Sequence, residues 1–190
     1  MTVRRYSGQT PGPAASIRSL PIGERTSDTL RAARLGDRPA PDTAVFNYDH
    51  LLSDFERECD LALRIYENGN RFQACLGHEG DQIGHWRGVL LAPSLCMGHA
   101  WLDEYYRNSG LGRQMLLALL VHAAHRGALL VRGGIHSTSA HRTHESIARE
   151  FGLDYRAALR EEMENMEERP EDQRYDEYDY VLDRPDRSRK

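Results

Sequence analysis

The chain has 190 residues, 39% of them hydrophobic and 28% charged, with a formal net charge of -4. That length buries about 70% of the unfolded surface when it folds as one domain, so a single globular core is expected. No apolar run approaches the ~20 residues of a membrane helix and the N-terminus lacks a signal peptide's apolar centre. The negative balance makes nucleic acid an unexpected partner.

Residues 1-44 hold seven arginines against four acids and five prolines, Pro11, Pro13, Pro21, Pro39 and Pro41. Such a segment reads as an extended, partly ordered basic arm with a short helix near Ser27 to Leu35, set apart from a domain over 45-190. From Asp49 to Glu67, Leu52, Phe55, Cys59, Ala62 and Tyr66 recur at spacings of three and four, which predicts a core-facing helix. Arg71 to Leu76 and Gln82 to Leu91 flank the turn-rich Gly77 to Asp81 and predict a hairpin. Pro93-Ser94 breaks the chain, and Leu95 to Leu102 reads as a third strand.

Then comes Arg107-Asn108-Ser109-Gly110-Leu111-Gly112, followed by an apolar helix over about Leu111 to His125. Glycines two apart let amides converge on one anion, and the free N–H groups of the helix start point at the same spot. Arg107 and Arg113 add formal charge on either side. A P-loop is excluded by spacing, and a dinucleotide fingerprint fails because Met115 stands where a third small residue is needed. Gly127 stops the helix and Ala128 to Val131 reads as a strand. Ser137 to Phe151 then reads as a helix closed by Gly152, with strands over Leu153 to Leu159 and Tyr178 to Leu182. Between these last two, Glu161 to Asp179 carries ten acids against Arg169 and Arg174. A solvated loop explains that run; an acidic rim drawing a cationic substrate, or the basic arm of a second copy, is the functional reading.

The loop resembles the pyrophosphate-binding motif of the GNAT superfamily of acyl-CoA-dependent N-acyltransferases, Gln/Arg-x-x-Gly-x-Gly/Ala, with Arg107, Gly110 and Gly112 at its fixed positions. The element order over roughly Phe46 to Asp183 is similar to that family's core. The resemblance implies a mixed α/β (α+β) fold, a mainly antiparallel central sheet flanked by helices. It implies acetyl-CoA (coenzyme A) as cofactor, held by Arg107, Asn108, Ser109, Gly110, Leu111, Gly112 and Arg113, with the main chain of Ala100 and Leu102 along the pantetheine arm. Ser137, Ser139, His141 and Arg142, which open the second long helix, are expected to make polar contacts with it.

The implied reaction moves an acetyl group to a primary amine of a small molecule, peptide or protein. Such an amine is mostly protonated at neutral pH, so a base is needed, and His99, Asp103 and Glu104 on the preceding strand are the candidates. One departure from the family pattern concerns the tyrosine that serves the departing thiolate: its position holds Ala148, and His141 stands in the position of the usual asparagine. Tyr155, Ser137 or a water is the expected substitute. His136, His141 and His144 invite a zinc reading, but no second histidine completes H-E-x-x-H and no further ligand is evident, so no metal is expected.

The alternative to an enzyme is a non-catalytic GNAT-fold module for assembly, docking through its basic arm on a partner or a second copy. The arm together with the missing tyrosine is similar to phage-encoded acetyltransferase-like proteins. Modification of a base amine in DNA is a distant third reading, disfavoured by the net charge. Cys59, Cys75 and Cys96 have neither even count nor metal spacing and suit a reducing cytoplasm.

Overall fold

The structure, a computed structural model, describes residues 16–26, 43–134, 137–159 and 175–182. Its strands are β1 (Glu24–Thr26), β2 (Ala44–Asn47), β3 (Leu61–Asn68), β4 (Arg71–His78), β5 (Asp81–Leu91), β6 (Ser94–Leu102), β7 (Leu130–Gly133), β8 (Tyr155–Leu159) and β9 (Tyr175–Val181). They make one sheet in the order β1-β2-β3-β4-β5-β6-β7-β9-β8. Every neighbouring pair is antiparallel except β6 and β7. The helices are α1 (Asp54–Glu58), α2 (Leu111–His125) and α3 (Thr138–Phe151). This is the mixed, mainly antiparallel sheet with flanking helices that the sequence predicts.

The parallel pair follows from the connection between its members: β6 leads through the glycine loop into α2, which crosses back over the sheet to β7. α2 packs on β3, β4 and β5 and against α3. Eleven of its fifteen residues are buried, and each fully buried leucine contributes about 1.5–3 kcal/mol. At its far end Arg18 donates to the carbonyls of Ala124 (2.9 Å) and Ala128 (2.7 Å). A guanidinium there meets carbonyls at the helix end and the negative dipole end together. Ile17, in the turn before β1, is fully buried in the core. Residues 16–26 are thus fastened to the end of α2 and to β2, while the helix expected near Ser27 to Leu35 lies outside the described residues.

The helix expected over Asp49 to Glu67 is a correction. Only α1 forms, started by a capping box in which Ser53 and Glu56 satisfy each other's amides. It ends at Cys59, and Asp60 takes a left-handed φ of 59°. Beyond it Leu63 and Ile65 are buried at every second position, the period of a strand. The three-and-four stripe is therefore coincidental: Phe55 is 73% exposed, and Tyr66 sits between Val45 of β2 and Gln73 of β4. Smaller shifts also occur. The strand expected at Ala128 to Val131 is Leu130–Gly133, and the last strand starts earlier, at Tyr175.

Among the described residues no helix is long and apolar enough to cross a membrane. Cys59, Cys75 and Cys96 are all unbridged.

Candidate functional site: a cleft where two parallel strands part

β6 and β7 run side by side from Ser94/Leu130 to Met97/Gly133 and then separate. The cause is local. Trp86 of β5 faces Ala100, yet Gly88 faces Met97, so β6 carries one extra residue opposite Arg87. Such a bulge bends the strand that holds it. Beyond the bulge, Gly98–Leu102 stays paired to β5 alone, and its outer edge faces a cleft of about 1180 Å³. That exceeds the roughly 300–1,000 Å³ of ordinary small-molecule pockets, so there is room for a long ligand.

One wall of the cleft is Gly98–Leu102; the opposite wall is the first turns of α3, including Ser139, Arg142 and Ser146. The glycine loop closes one end. Gly110 caps α2 with φ 94°, and Asn108 is also left-handed at 61°. The amides of Asn108, Ser109, Gly110 and Gly112 have no acceptor among the hydrogen bonds of the described residues, whereas those of Arg113 and Gln114 return to Gly110 O. The Gly112 position is diagnostic. A Cβ built there meets only Leu102 Cδ2, at 3.9 Å, so the fold itself has room for alanine, which a helix prefers by up to about 1 kcal/mol. The space beside Gly112 opens into the cleft.

The charge is one-sided. Arg107, Arg113 and Arg142 line the cleft and, among the described residues, no carboxylate does, in a chain of net charge -4. Arg107 Nε donates to Leu102 O at 3.0 Å, which ties the loop to the strand end. Arg113 pairs with Glu150, joining the start of α2 to the end of α3.

At the fork, Gly133 faces Tyr178 of β9. A Cβ on Gly133 would lie 2.2 Å from the Tyr178 ring and 2.3 Å from its hydroxyl; only glycine lets the phenol settle there. Burial, with Tyr155 beside it, pushes the Tyr178 hydroxyl far above its ordinary pKa, so it keeps its proton.

Most residues expected at the site meet here. His99, Ala100, Leu102, Arg107, Asn108, Gly110, Gly112, Arg113 and Ser139 all line the cleft. Four do not. Leu111 is buried in the core, and Ser109 Oγ donates to Tyr106 O at 2.5 Å. Glu104 stands exposed on a 3-10 turn, Glu104–Tyr106, whose start is capped by Asp103. His141 Nδ1 and Tyr155 OH share a 2.7 Å hydrogen bond away from the lining. Ser137 and Arg142, also expected at the site, line it too, and Ser137 caps α3 by accepting from Ala140 N at 3.3 Å. Trp86, Ser146 and Tyr178 line the cleft without having been singled out in the sequence. Only the i, i+4 spacing of Arg142 and Ser146 signals a shared helix face; the strand register that brings in Tyr178 leaves no sequence trace.

The histidines do not gather around a metal. Among the described residues no group of three His, Cys, Asp or Glu could hold an ion, and His136 lies outside them. His144 is buried among aromatic rings, 4.2 Å from Tyr178 and 5.4 Å from Trp86.

No family model matches this chain, and no curated protein matches it. Several solved structures are similar to it in fold. One is the ribosomal-protein-S18-alanine N-acetyltransferase of Escherichia coli, at 14% identity and TM-score 0.49, covering 87% of this chain and 95% of that one. Another is the aminoglycoside 6'-N-acetyltransferase of Enterococcus faecium, at 11% identity and TM-score 0.46, covering 63% and 77%. A third, from Salmonella typhimurium, modifies the N-terminal serine of ribosomal protein L7/L12; it is 18% identical with TM-score 0.41, covering 60% and 66%.

Proposed function

We propose that this chain is a GNAT-type N-acetyltransferase that moves an acetyl group from acetyl-CoA to a primary amine by direct attack. The observation that carries this reading is the cleft itself: a strand edge freed by a bulge, leading to a glycine-lined helix start with three arginines and, among the described residues, no carboxylate. A diphosphate suits the Arg107–Arg113 end, because unpaired amides and a helix dipole act there with formal positive charge. A flexible amide-bearing arm suits the free edge at Gly98–Leu102, which offers backbone donors and acceptors as an added strand would use them. The vacancy beside Gly112 is the fit test, since the protein leaves that space unfilled although a methyl group would enter it.

Coenzyme A, when bound with its acetyl group, supplies an activated thioester carbon. The residues of this chain do the rest. Main-chain N–H groups along the bulged strand are available to an oxyanion. His99, exposed on the cleft wall, takes a proton from the amine. Tyr178, the phenol at the fork, keeps its proton and offers its O–H as a hydrogen bond to the departing sulfur. This reading prefers Tyr178 to Tyr155 and His99 to Glu104, because the preferred pair line the cleft. Unbridged cysteines fit a cytoplasmic enzyme.

Calorimetry with acetyl-CoA, followed by thiol release against an amine panel, tests the proposal. Saturable binding with turnover supports it. Binding without turnover assigns the fold to an assembly module, and no binding overturns the cleft's assignment. Tyr178→Phe is expected to lower kcat about 10-fold with acetyl-CoA affinity unchanged. The modest figure reflects a thiol whose pKa near 8.5 makes it a tolerable leaving group without help. An unchanged kcat removes Tyr178 from the mechanism.

A further inference from the structure

His99 is not an isolated side chain. Its Nδ1 lies 2.9 Å from Nε2 of His85, and His85 Nδ1 lies 2.9 Å from Nε2 of Gln82. The three groups form a chain from β5 across to the bulge of β6. Trp86 packs toward α3, so its strand neighbour His85 points to the opposite face of the sheet. There Trp101 lies beside it, with ring centres 6.0 Å apart.

We propose that Gln82 and His85 are positioning residues that set whether His99 meets an amine acceptor as a base or as a donor. This rests on the acetyltransfer reading above. A side-chain amide can present either its NH₂ or its oxygen to His85. With the NH₂ inward, Gln82 donates to His85 Nδ1. His85 then donates from Nε2 to His99 Nδ1, and His99 carries its proton on Nε2. With the oxygen inward, every bond reverses. His85 donates from Nδ1 to Gln82, His99 donates from Nδ1 to His85 Nε2, and His99 Nε2 presents a lone pair. Only the second arrangement makes His99 a base. In it an N–H bond of the ammonium breaks, His99 Nε2–H forms, and the freed nitrogen lone pair bonds to the thioester carbon. The C–S bond pair leaves with sulfur, which the Tyr178 hydroxyl meets with a hydrogen bond. The nitrogen, now bonded to carbon, gives up its second proton, sulfur takes up one proton through water, and the imidazolium returns its proton to water.

The surroundings favour a neutral His85. Its pKa is lowered by burial first, then by Arg87 and His99. Across β4, Cys75 stands opposite it, and burial pushes that thiol up to about 12, so it brings no charge. Arg87, on the same strand, is engaged with Gln73 at 3.2 Å. A neutral His85 can therefore accept from His99 without sharing its positive charge.

The test uses the full chain with two variants pulling in opposite directions. Gln82→Glu offers only acceptors, so it holds the base arrangement, and the acid limb of kcat/KM should move up by about one pH unit. His85→Phe leaves His99 Nδ1 unheld; kcat/KM should fall about 10-fold and the limb should move down, with acetyl-CoA affinity unchanged. Long-range proton–nitrogen NMR of the imidazoles, run without substrate, should show the lone pair on His99 Nε2 in Gln82→Glu. A wild type that turns over while both variants keep its pH profile and its imidazole signals overturns the positioning role alone. A wild type that neither binds nor turns over acetyl-CoA overturns the acetyltransfer reading, and this role falls with it.

Discussion

Gly112→Asp is expected to weaken acetyl-CoA binding at least about 100-fold while leaving the fold intact or slightly more stable. The separation follows from where the residue sits. Gly112 is in the first turn of α2 with an ordinary helical φ, so any L-residue is conformationally acceptable. A carboxylate near a helix N-terminus gains about 0.3–1 kcal/mol from the dipole. The same carboxylate would stand among the amides proposed to hold a diphosphate. Like charges 4 Å apart repel by about 4 kcal/mol at an effective dielectric of 20. Screening reduces this, yet 2.7 kcal/mol already corresponds to about 100-fold.

Gly112→Ala refines the test. Its methyl meets only Leu102 Cδ2, so thermal stability should rise by up to about 1 kcal/mol while affinity stays within a few-fold, since the motif accepts alanine at this place and the methyl carries no charge. Calorimetric affinity and urea midpoint, measured on both variants, decide the matter. If binding is untouched in a folded Gly112→Asp protein, the vacancy belongs to no ligand and the transferase assignment loses its support. Gly110→Val is the contrasting case. At φ 94° a β-branched side chain is strained, so it should lose stability and binding together.

What could be read in advance divides along physical lines. The hairpin β4–β5, α2 and α3 were legible because each combines a clear apolar period with punctuation by glycine or serine, and α2 is found at its expected bounds, Leu111–His125. The loop was legible because its glycines serve backbone geometry, which is local. β3 was misread for the opposite reason. A five-residue helix and an eight-residue strand adjoin at Asp60, and a window spanning both mixes two periods into a false third. The cleft residues contributed by α3 and β9 depend on how distant segments pair. Tyr178 reaches the fork only because β9 inserts between β7 and β8, and a sequence carries no mark of that insertion. His85 was hidden likewise: it matters through the bulge that lets it meet His99 across two strands.

Glu67→Ala should cost about 2 kcal/mol of folding stability, the largest effect expected outside the cleft. Glu67 carries two charged-group contacts, His122 Nε2 at 2.7 Å and Arg126 Nη2 at 2.7 Å. His122, fully buried in α2, also bonds Tyr48 at 3.0 Å through Nδ1 and packs against Phe46 and Phe72. One assignment satisfies every group: Tyr48 donates to Nδ1, and Nε2–H donates to the carboxylate. Tyr48 can keep donating because burial raises its pKa to about 12. Removing Glu67 leaves the neutral His122 Nε2–H buried without an acceptor, which costs about 1–3 kcal/mol. Half-exposed Arg126 recovers its own hydration, so it adds little.

The same network sets an acid limit. Burial lowers the His122 pKa below its ordinary value, against the opposing pull of Glu67. Burial wins because Arg126 already compensates that carboxylate. A pKa lower in the folded state means that the unfolded chain binds more protons, so stability rises with pH. The contribution is complete above the unfolded value near 6.5 and is lost as pH falls through the folded one. Urea midpoints should therefore drop more steeply below pH 6.5 in the wild type than in His122→Gln, whose amide keeps a donor and an acceptor but cannot take a proton. Parallel slopes would mean that His122 is already charged in the folded protein. The network would then be an ion triad, and Glu67→Ala would cost more than the neutral assignment allows.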